Sequence, residues 1–327
     1  MSGKTPADPP RVLHLGNTAN VAAELRNGLK STGAAECLVV ETQDNKLRFD
    51  EDIRLSWDWA TSRLARAGRH LSELILLKNL ASEADIVHIH HTGQVMNVLA
   101  KWAQMHGKRI VRHFHGHEVR HGKVSEEVRF ADAVLVSTPD LLRYVRASQP
   151  RRQPVWIPNP RPFPDSRPEP ALSPPLRIVH AHLRNPVYAD VFGTESIRAA
   201  VSRLAGQGYD VMLDEVSGLT HHDAMKRYRA CHIAVDKLRI GWYGAFGIEC
   251  LSYGLPVLAG VSKDLSVLQP PVLPTTEETL EETLEELVMD ERLRERVGQE
   301  LFVRGRAQHD TPIVAARVSE IYRDLLA

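Results

Sequence analysis

From residue 11 to residue 145, short apolar runs alternate with amphipathic stretches. This alternation constrains the fold more than any other feature. RVLHLG (11–16), CLVVET (37–42), ADIVHIHHTG (84–93), KRIVRHFHG (108–116) and ADAVLVST (131–138) have the length and burial pattern of core strands. Between them, NVAAELRNGLKSTG (20–33), LSELILLKNLASEA (71–84) and NVLAKWAQMHG (97–107) carry helical periodicity, with Gly33 as a stop. Parallel neighbours need a crossover long enough to hold a helix. The expected product is an α/β unit with an open, doubly wound parallel sheet.

Half of the chain's 20 prolines fall between residues 150 and 175. Proline removes a backbone donor and fixes φ, so this stretch excludes helix and central strand. A second α/β series follows: LRIVHAH (176–182), GTESIRAAVSRLAGQG (193–208), YDVMLDEVSG (209–218), HHDAMKRYRACH (221–232), IAVDKL (233–238), a helix starting at ECLSYG (249–254), and PVLAG (256–260). Residues 275–305 read as one acidic helix, with Thr275 and Glu278 as its capping box. Residues 311–327 read as a terminal helix with Pro312 in its first turn. We expect two Rossmann-like domains, 1–160 and 176–310, joined by a proline-rich linker at 161–175. Ligands of such sheets sit at the carboxyl ends of the strands, so the cleft between the domains is the expected site.

The 327 residues include 41 basic and 41 acidic side chains, a net charge of zero, which argues against a nucleic-acid partner. Three scattered cysteines form no CxxC pair and suit a reduced, cytoplasmic protein with buried thiols. No run reaches the ~18 apolar residues of a membrane span, and peripheral membrane contact stays open. Walker and G-x-S-x-G motifs are missing, and no GxGxxG follows a strand, which weakens hydrolase and dehydrogenase readings.

The most informative segment is GWYGAFGIECLSYGLPVLAG (241–260), whose one charged side chain is Glu249. Gly244 and Gly247, with Ala245 and Phe246 between them, let backbone come close to a ligand. A helix N-terminus beyond them suits a diphosphate. A first-turn Glu249 has two readings: it accepts two ribose hydroxyls, or it simply favours the helix dipole.

E-C-L-S-Y-G-L-P-V resembles the signature of retaining GT-B glycosyltransferases of family 4, the glycogen-synthase-like group. Glu249, Gly254, Pro256 and Val257 match it. The resemblance extends to HLGNTANVAAELRNGLKSTG, HFHGHEVR, VSTPDLL and WIPNP. It implies two facing Rossmann-like domains, with the last helix folded back on the first. It also implies a nucleotide-sugar donor whose ribose Glu249 holds, transfer with retention, and no metal or other cofactor. The acceptor is a glycan, lipid or small metabolite. Three positions depart from the family. Gly241 stands where its first glutamate would be, Phe192 replaces its lysine, and Glu118 replaces an aspartate. The departures motivate two alternatives: a cyclitol-coupling pseudo-glycosyltransferase, or a non-catalytic nucleotide-sugar-binding protein.

A departing diphosphate needs cations. Arg184 is one candidate, and Lys237 and Arg239 before the glycine loop could replace the missing lysine. Alternating histidines, His88/His90 and His113/His115/His117, fall on strand faces without a carboxylate–histidine metal pattern, so no metal is expected. The resemblance places His115 near the sugar or acceptor. Gly16, Asn17 and Glu118 are the candidates for the acceptor or diphosphate loop, although Gly-Asn also suits plain helix capping.

Overall fold

The computed structural model describes residues 8–41, 49–55, 63–120, 124–169, 174–182 and 191–327. The chain divides into two compact units, Met1–Pro160 with Thr311–Ala327, and Arg161–Asp310.

The first unit runs β1 (Arg11–Leu15), α1 (Val21–Ser31), β2 (Glu36–Glu41), β3 (Ile53–Arg54), α2 (Arg63–Glu83), β4 (Ile86–Ile89), α3 (Gln94–Met105) and β5 (Arg109–Phe114). Then come α4 (His117–Arg120), α5 (Ser125–Arg129), β6 (Ala133–Val136), α6 (Leu141–Ala147) and β7 (Val155–Trp156). Its sheet has the order β3-β2-β1-β4-β5-β6-β7, with every pair parallel. The order reverses between β1 and β4, which makes the ends of those strands the natural ligand position.

Period two sorts the strand residues onto two faces. Leu13, Val87 and Ile110 pack with Leu77, Leu99 and Ala103 of α2 and α3. Val12, Ile86, Val111 and Leu135 pack with α1 and with Val314, Val318 and Tyr322 of the terminal helix. That helix closes on α1 at Gly28, where an added Cβ would lie 2.6 Å from Ala315 Cβ. Its first-turn Thr311 donates to Glu24 of α1.

The second unit runs β8 (Leu176–Ala181), α7 (Thr194–Gly206), β9 (Val211–Val216), α8 (His221–Arg229), β10 (Ile233–Val235), α9 (Ala245–Ser252), β11 (Val257–Ala259), β12 (Leu273–Pro274), α10 (Leu280–Met289) and α11 (Glu291–His309). The chain ends in α12 (Thr311–Leu326) of the first unit. The second sheet is parallel throughout, ordered β12-β11-β10-β8-β9, and it reverses between β8 and β10. Ile178, Ile233, Val235 and Leu258 form its core with Ile197, Leu204, Leu280 and Leu284.

Several elements differ from the sequence reading. The acidic stretch is two helices, because Asp290 caps a new one by accepting the Leu293 N–H at 2.9 Å. The Thr275–Glu278 capping box does not form. Thr276 and Thr279 exchange backbone and hydroxyl bonds there instead. α9 begins at Ala245, four residues before Glu249, which therefore lies beyond its first turn. Inside the proline-rich stretch, Val155–Trp156 adds a short edge strand, a place proline-flanked residues tolerate.

Candidate functional site

α9 starts early because its N-terminus is already neutralised. Asp236 follows β10, and its Oδ2 accepts the Gly244 N–H at 2.5 Å. The carboxylate is only 1% exposed, and its Oδ1 has no hydrogen-bond partner among the described residues. The two loop glycines make room for this arrangement. A Cβ on Gly247 would stand 2.7 Å from Asp236 Oδ2, and one on Gly244 would stand 2.3 Å from Lys237 Nζ. These glycines therefore admit side chains of their own chain, and the anion position at the helix end holds Asp236. Lys237 is half-buried beside Gly244 and makes no ion pair among the described residues. Ala245 and Phe246 are half-buried, and the Phe246 ring meets Tyr228 edge-on at 4.9 Å.

Glu249 is 5% exposed. Its Oε1 accepts from Arg161 Nε at 3.1 Å and faces His221 Nε2 at 2.9 Å. Burial alone would raise its pKa, but the charge of Arg161 and the hydrogen bond from His221 hold the carboxyl below its ordinary value. The ion pair was not legible in the sequence, since 88 residues separate the partners. Arg239 is spoken for differently: its Nε lies 2.5 Å from Glu277 Oε1 and its Nη2 3.2 Å from Oε2. Arg184 lies outside the described residues.

Both positions of this unit that depart from the resembled signature have local causes. Gly241 has φ +84°, and a Cβ there would lie 2.1 Å from Ser262 Oγ. A glutamate would be strained twice over. Phe192 is 5% exposed and stands edge-on to His180 and His182. It closes the end of β8 with an apolar ring.

In the first unit, Asn17 is fully buried and spends its polar atoms on the fold. Its Oδ1 accepts the Ala23 N–H at 3.1 Å, its Nδ2 donates to Asn20, and its own N–H donates to Glu41. The bond gives a first-turn N–H of α1 a partner, while the residue at the N-cap of α1 is Asn20. Gly16, at φ +84°, sits against His91, whose Nδ1 would be 2.3 Å from an added Cβ. Glu118 accepts the backbone N–H of His115 and so closes the turn after β5.

The histidines are gathered further than the sequence indicated. His14, His88, His90, His113 and His115 extend the columns begun by Val12, Ile86 and Val111, on the face covered by α12. His14 Nδ1 is 3.0 Å from His90 Nε2, and His90 Nδ1 is 3.1 Å from His115 Nε2. His115 Nδ1 is 2.5 Å from Ser137 Oγ, so both of its ring nitrogens are engaged. Burial holds His88, His90 and His113 well below the usual imidazole range and His14 at about 3, so the rings are neutral.

The cysteines Cys37, Cys231 and Cys250 are buried and unpaired, and burial raises the Cys37 and Cys231 thiols to about 12. They are not poised nucleophiles. A cavity of about 430 Å³ opens at the starts of β1 and β2, lined by Arg11, Lys30, Glu36 and Glu83. It lies at the wrong end of the strands for the ligand position of such sheets. Among the described residues no helix is long and apolar enough to cross a membrane.

The fold is that of GT-B glycosyltransferases, with two parallel α/β sheets. Residues 18–161 match the model of Glycosyltransferase Family 4. Among solved structures, the chain is similar to Anabaena HepE in complex with UDP-glucose, with TM-score 0.65, 11% identity, and 96% of this chain and 100% of that one covered. Sucrose-phosphate synthase from Thermosynechococcus elongatus gives TM-score 0.63 and 14% identity, with 97% and 99% covered. A putative UDP-N-acetylglucosamine 2-epimerase from Listeria monocytogenes gives 0.64 and 12%, with 97% of each chain covered. No curated protein sequence matches the chain.

Proposed function

We propose that the protein is a glycosyltransferase that takes a sugar from a nucleotide-sugar donor held by the second unit. The observation that carries this reading is the placement of Glu249 on α9 within a fold shared, over 96% of the chain, with a protein solved with UDP-glucose bound. The Glu249 carboxylate retains acceptor capacity beyond Oε1, which suits a ribose hydroxyl. Half-buried His221 lies over it and would be the group that a ribose displaces. Lys237 supplies positive charge where a departing diphosphate gathers negative charge, and Arg184 is a second candidate cation. Transfer proceeds with retention and without a metal ion at the donor. The acceptor is a glycan, a lipid or a small metabolite, and the setting is cytoplasmic.

The test is calorimetric titration with UDP, GDP, TDP and ADP, with Lys237→Ala as the site variant. Binding of one nucleotide, weakened about tenfold by the loss of a charge-assisted contact, supports the reading. Failure of the folded protein to bind any of the four would sink it.

The built-in departures at Gly241 and Phe192, and the epimerase fold neighbour, favour a second reading. In it the bound nucleotide sugar is altered or merely held, as in an epimerase, a cyclitol-coupling relative or a non-catalytic binder. Conversion of a UDP-sugar without any acceptor, followed by NMR, separates this from transfer.

A further inference from the structure

We propose that His90, His113 and His115 form a binding site for a divalent transition-metal ion of the zinc class, at the carboxyl ends of β4 and β5 in the first unit. One ring nitrogen from each lies within 4.8 Å of those of the other two. The His90 Nδ1 to His115 Nε2 separation is 3.1 Å. Two imidazole nitrogens bound to one tetrahedral ion stand about 3.3 Å apart, given metal–nitrogen distances of about 2.0–2.1 Å. These rings therefore need little movement to share an ion.

The hydrogen bonds around the three rings are those of a supporting shell. Histidine ligands are normally held by a bond to the ring nitrogen that faces away from the metal. Ser137 Oγ does this for two of the three, at 2.5 Å from His115 Nδ1 and 3.4 Å from His113 Nε2. The other nitrogen of His113, Nδ1, is buried with no partner among the described residues. An orphaned ring nitrogen inside a core is an unmade bond that counts against the folded state. Three apolar residues would fill these columns without that cost. A metal ion gives the nitrogen a partner.

The donor set selects the ion. Three imidazoles without carboxylate or thiolate suit Zn²⁺, Ni²⁺, Co²⁺ or Cu²⁺ and not Mg²⁺ or Ca²⁺. His115 is half-buried, while His90 and His113 are buried, so the set reaches the strand-end surface through His115. A second trio, His14, His88 and His90, also converges. It is the less accessible site, because all three of its rings are buried and none reaches the strand-end surface.

The experiment uses the full chain, stripped with a chelator and checked for folding by circular dichroism. Zn²⁺ is titrated in competition with a chromophoric chelator, and Co²⁺ is added separately to read its visible d–d bands. The expected result is one ion per chain. His113→Leu should weaken binding by more than about 100-fold, and Ser137→Ala by about 10–100-fold as a lost supporting bond. His106→Gln, at an exposed helix end, should change nothing. Absence of Zn²⁺ binding by the folded wild type overturns the proposal. So does binding that survives His113→Leu but is lost in His14→Leu, which would place the ion at the inner trio. Binding that tolerates both would be adventitious and also overturns it. Nothing in this test depends on the identity of the donor nucleotide.

Discussion

Asp236 and Gly244 are joined by a 2.5 Å hydrogen bond from the glycine N–H to the carboxylate, at the point where β10 hands over to α9. The position at a helix N-terminus where an anionic ligand would dock thus holds an anion from the chain itself. Lys237, the next residue, stands over the same glycine and brings the opposite charge. The carboxylate organises the loop, and under the proposed function the lysine is the group that meets the ligand.

This arrangement predicts an unusual response to Asp236→Asn. The amide oxygen still accepts the Gly244 N–H, so the loop keeps its shape. The negative charge is gone, and with it the repulsion against a diphosphate bound as proposed. Two charges about 6 Å apart at an effective dielectric of about 20 interact by about 2–3 kcal/mol. The nucleotide that binds in the titration should therefore bind more tightly, by about tenfold once solvent screening is allowed for, as read by calorimetry. Weaker binding in a folded variant would mean that Asp236 contacts the nucleotide directly.

Glu249 carries a structural load that the sequence did not disclose. Removing it leaves the guanidinium of Arg161 buried without its carboxylate, and breaking a buried pair costs about 3–5 kcal/mol. Glu249→Ala should lower stability by about that amount in urea unfolding, over and above any loss of nucleotide binding. The pH dependence has a definite sign. The folded carboxyl titrates below its ordinary value, so its contribution is complete above the unfolded pKa of about 4.3. It disappears as the pH falls through the lower, folded value. Glu249→Gln should flatten this acid-side decline, seen in unfolding free energies collected between pH 5 and pH 3. An unchanged decline would assign the loss to other groups.

The sequence made the fold legible because parallel strands buried on both faces are near-continuous apolar runs, and their helical crossovers have a different period. Val12, Ile86 and Val111 and their partners could be placed without coordinates. The start of α9 could not. It depends on Asp236, which reaches Gly244 only after the loop has folded. The Glu249–Arg161 pair and the meeting of five histidines from three strands are also products of tertiary structure. Spacing within one strand shows which face a histidine takes, and strand order decides which others it meets.

At Gly241 a motif resemblance can be set against geometry. Gly241→Glu introduces the carboxylate that the resembled signature implies at this position. Here it would force φ +84° on a side-chain-bearing residue and drive its Cβ to 2.1 Å from Ser262 Oγ. The variant should lose about 1–3 kcal/mol from the backbone strain alone, without gaining turnover. Adding Ser262→Gly removes the collision and should recover part of the stability, by thermal unfolding. Full recovery would show that the collision, and not the backbone conformation, is what requires glycine.

Asn17 gives the last prediction, because its position at the end of β1 invites a ligand role while its contacts serve the fold. Its side-chain oxygen accepts the Ala23 N–H, and its amide donates to Asn20. At 0% exposure, no surface remains for a ligand to touch. Asn17→Ala should therefore lower stability by about 1–2 kcal/mol, the worth of a side-chain partner for a first-turn N–H. Nucleotide affinity, measured well below the unfolding transition, should not change. Asn17→Asp keeps the accepting oxygen but sets a second carboxylate near Glu41, which already accepts the residue's own N–H. It should recover less than the full loss. Altered nucleotide affinity in a stably folded Asn17→Ala protein would return this residue to the ligand site.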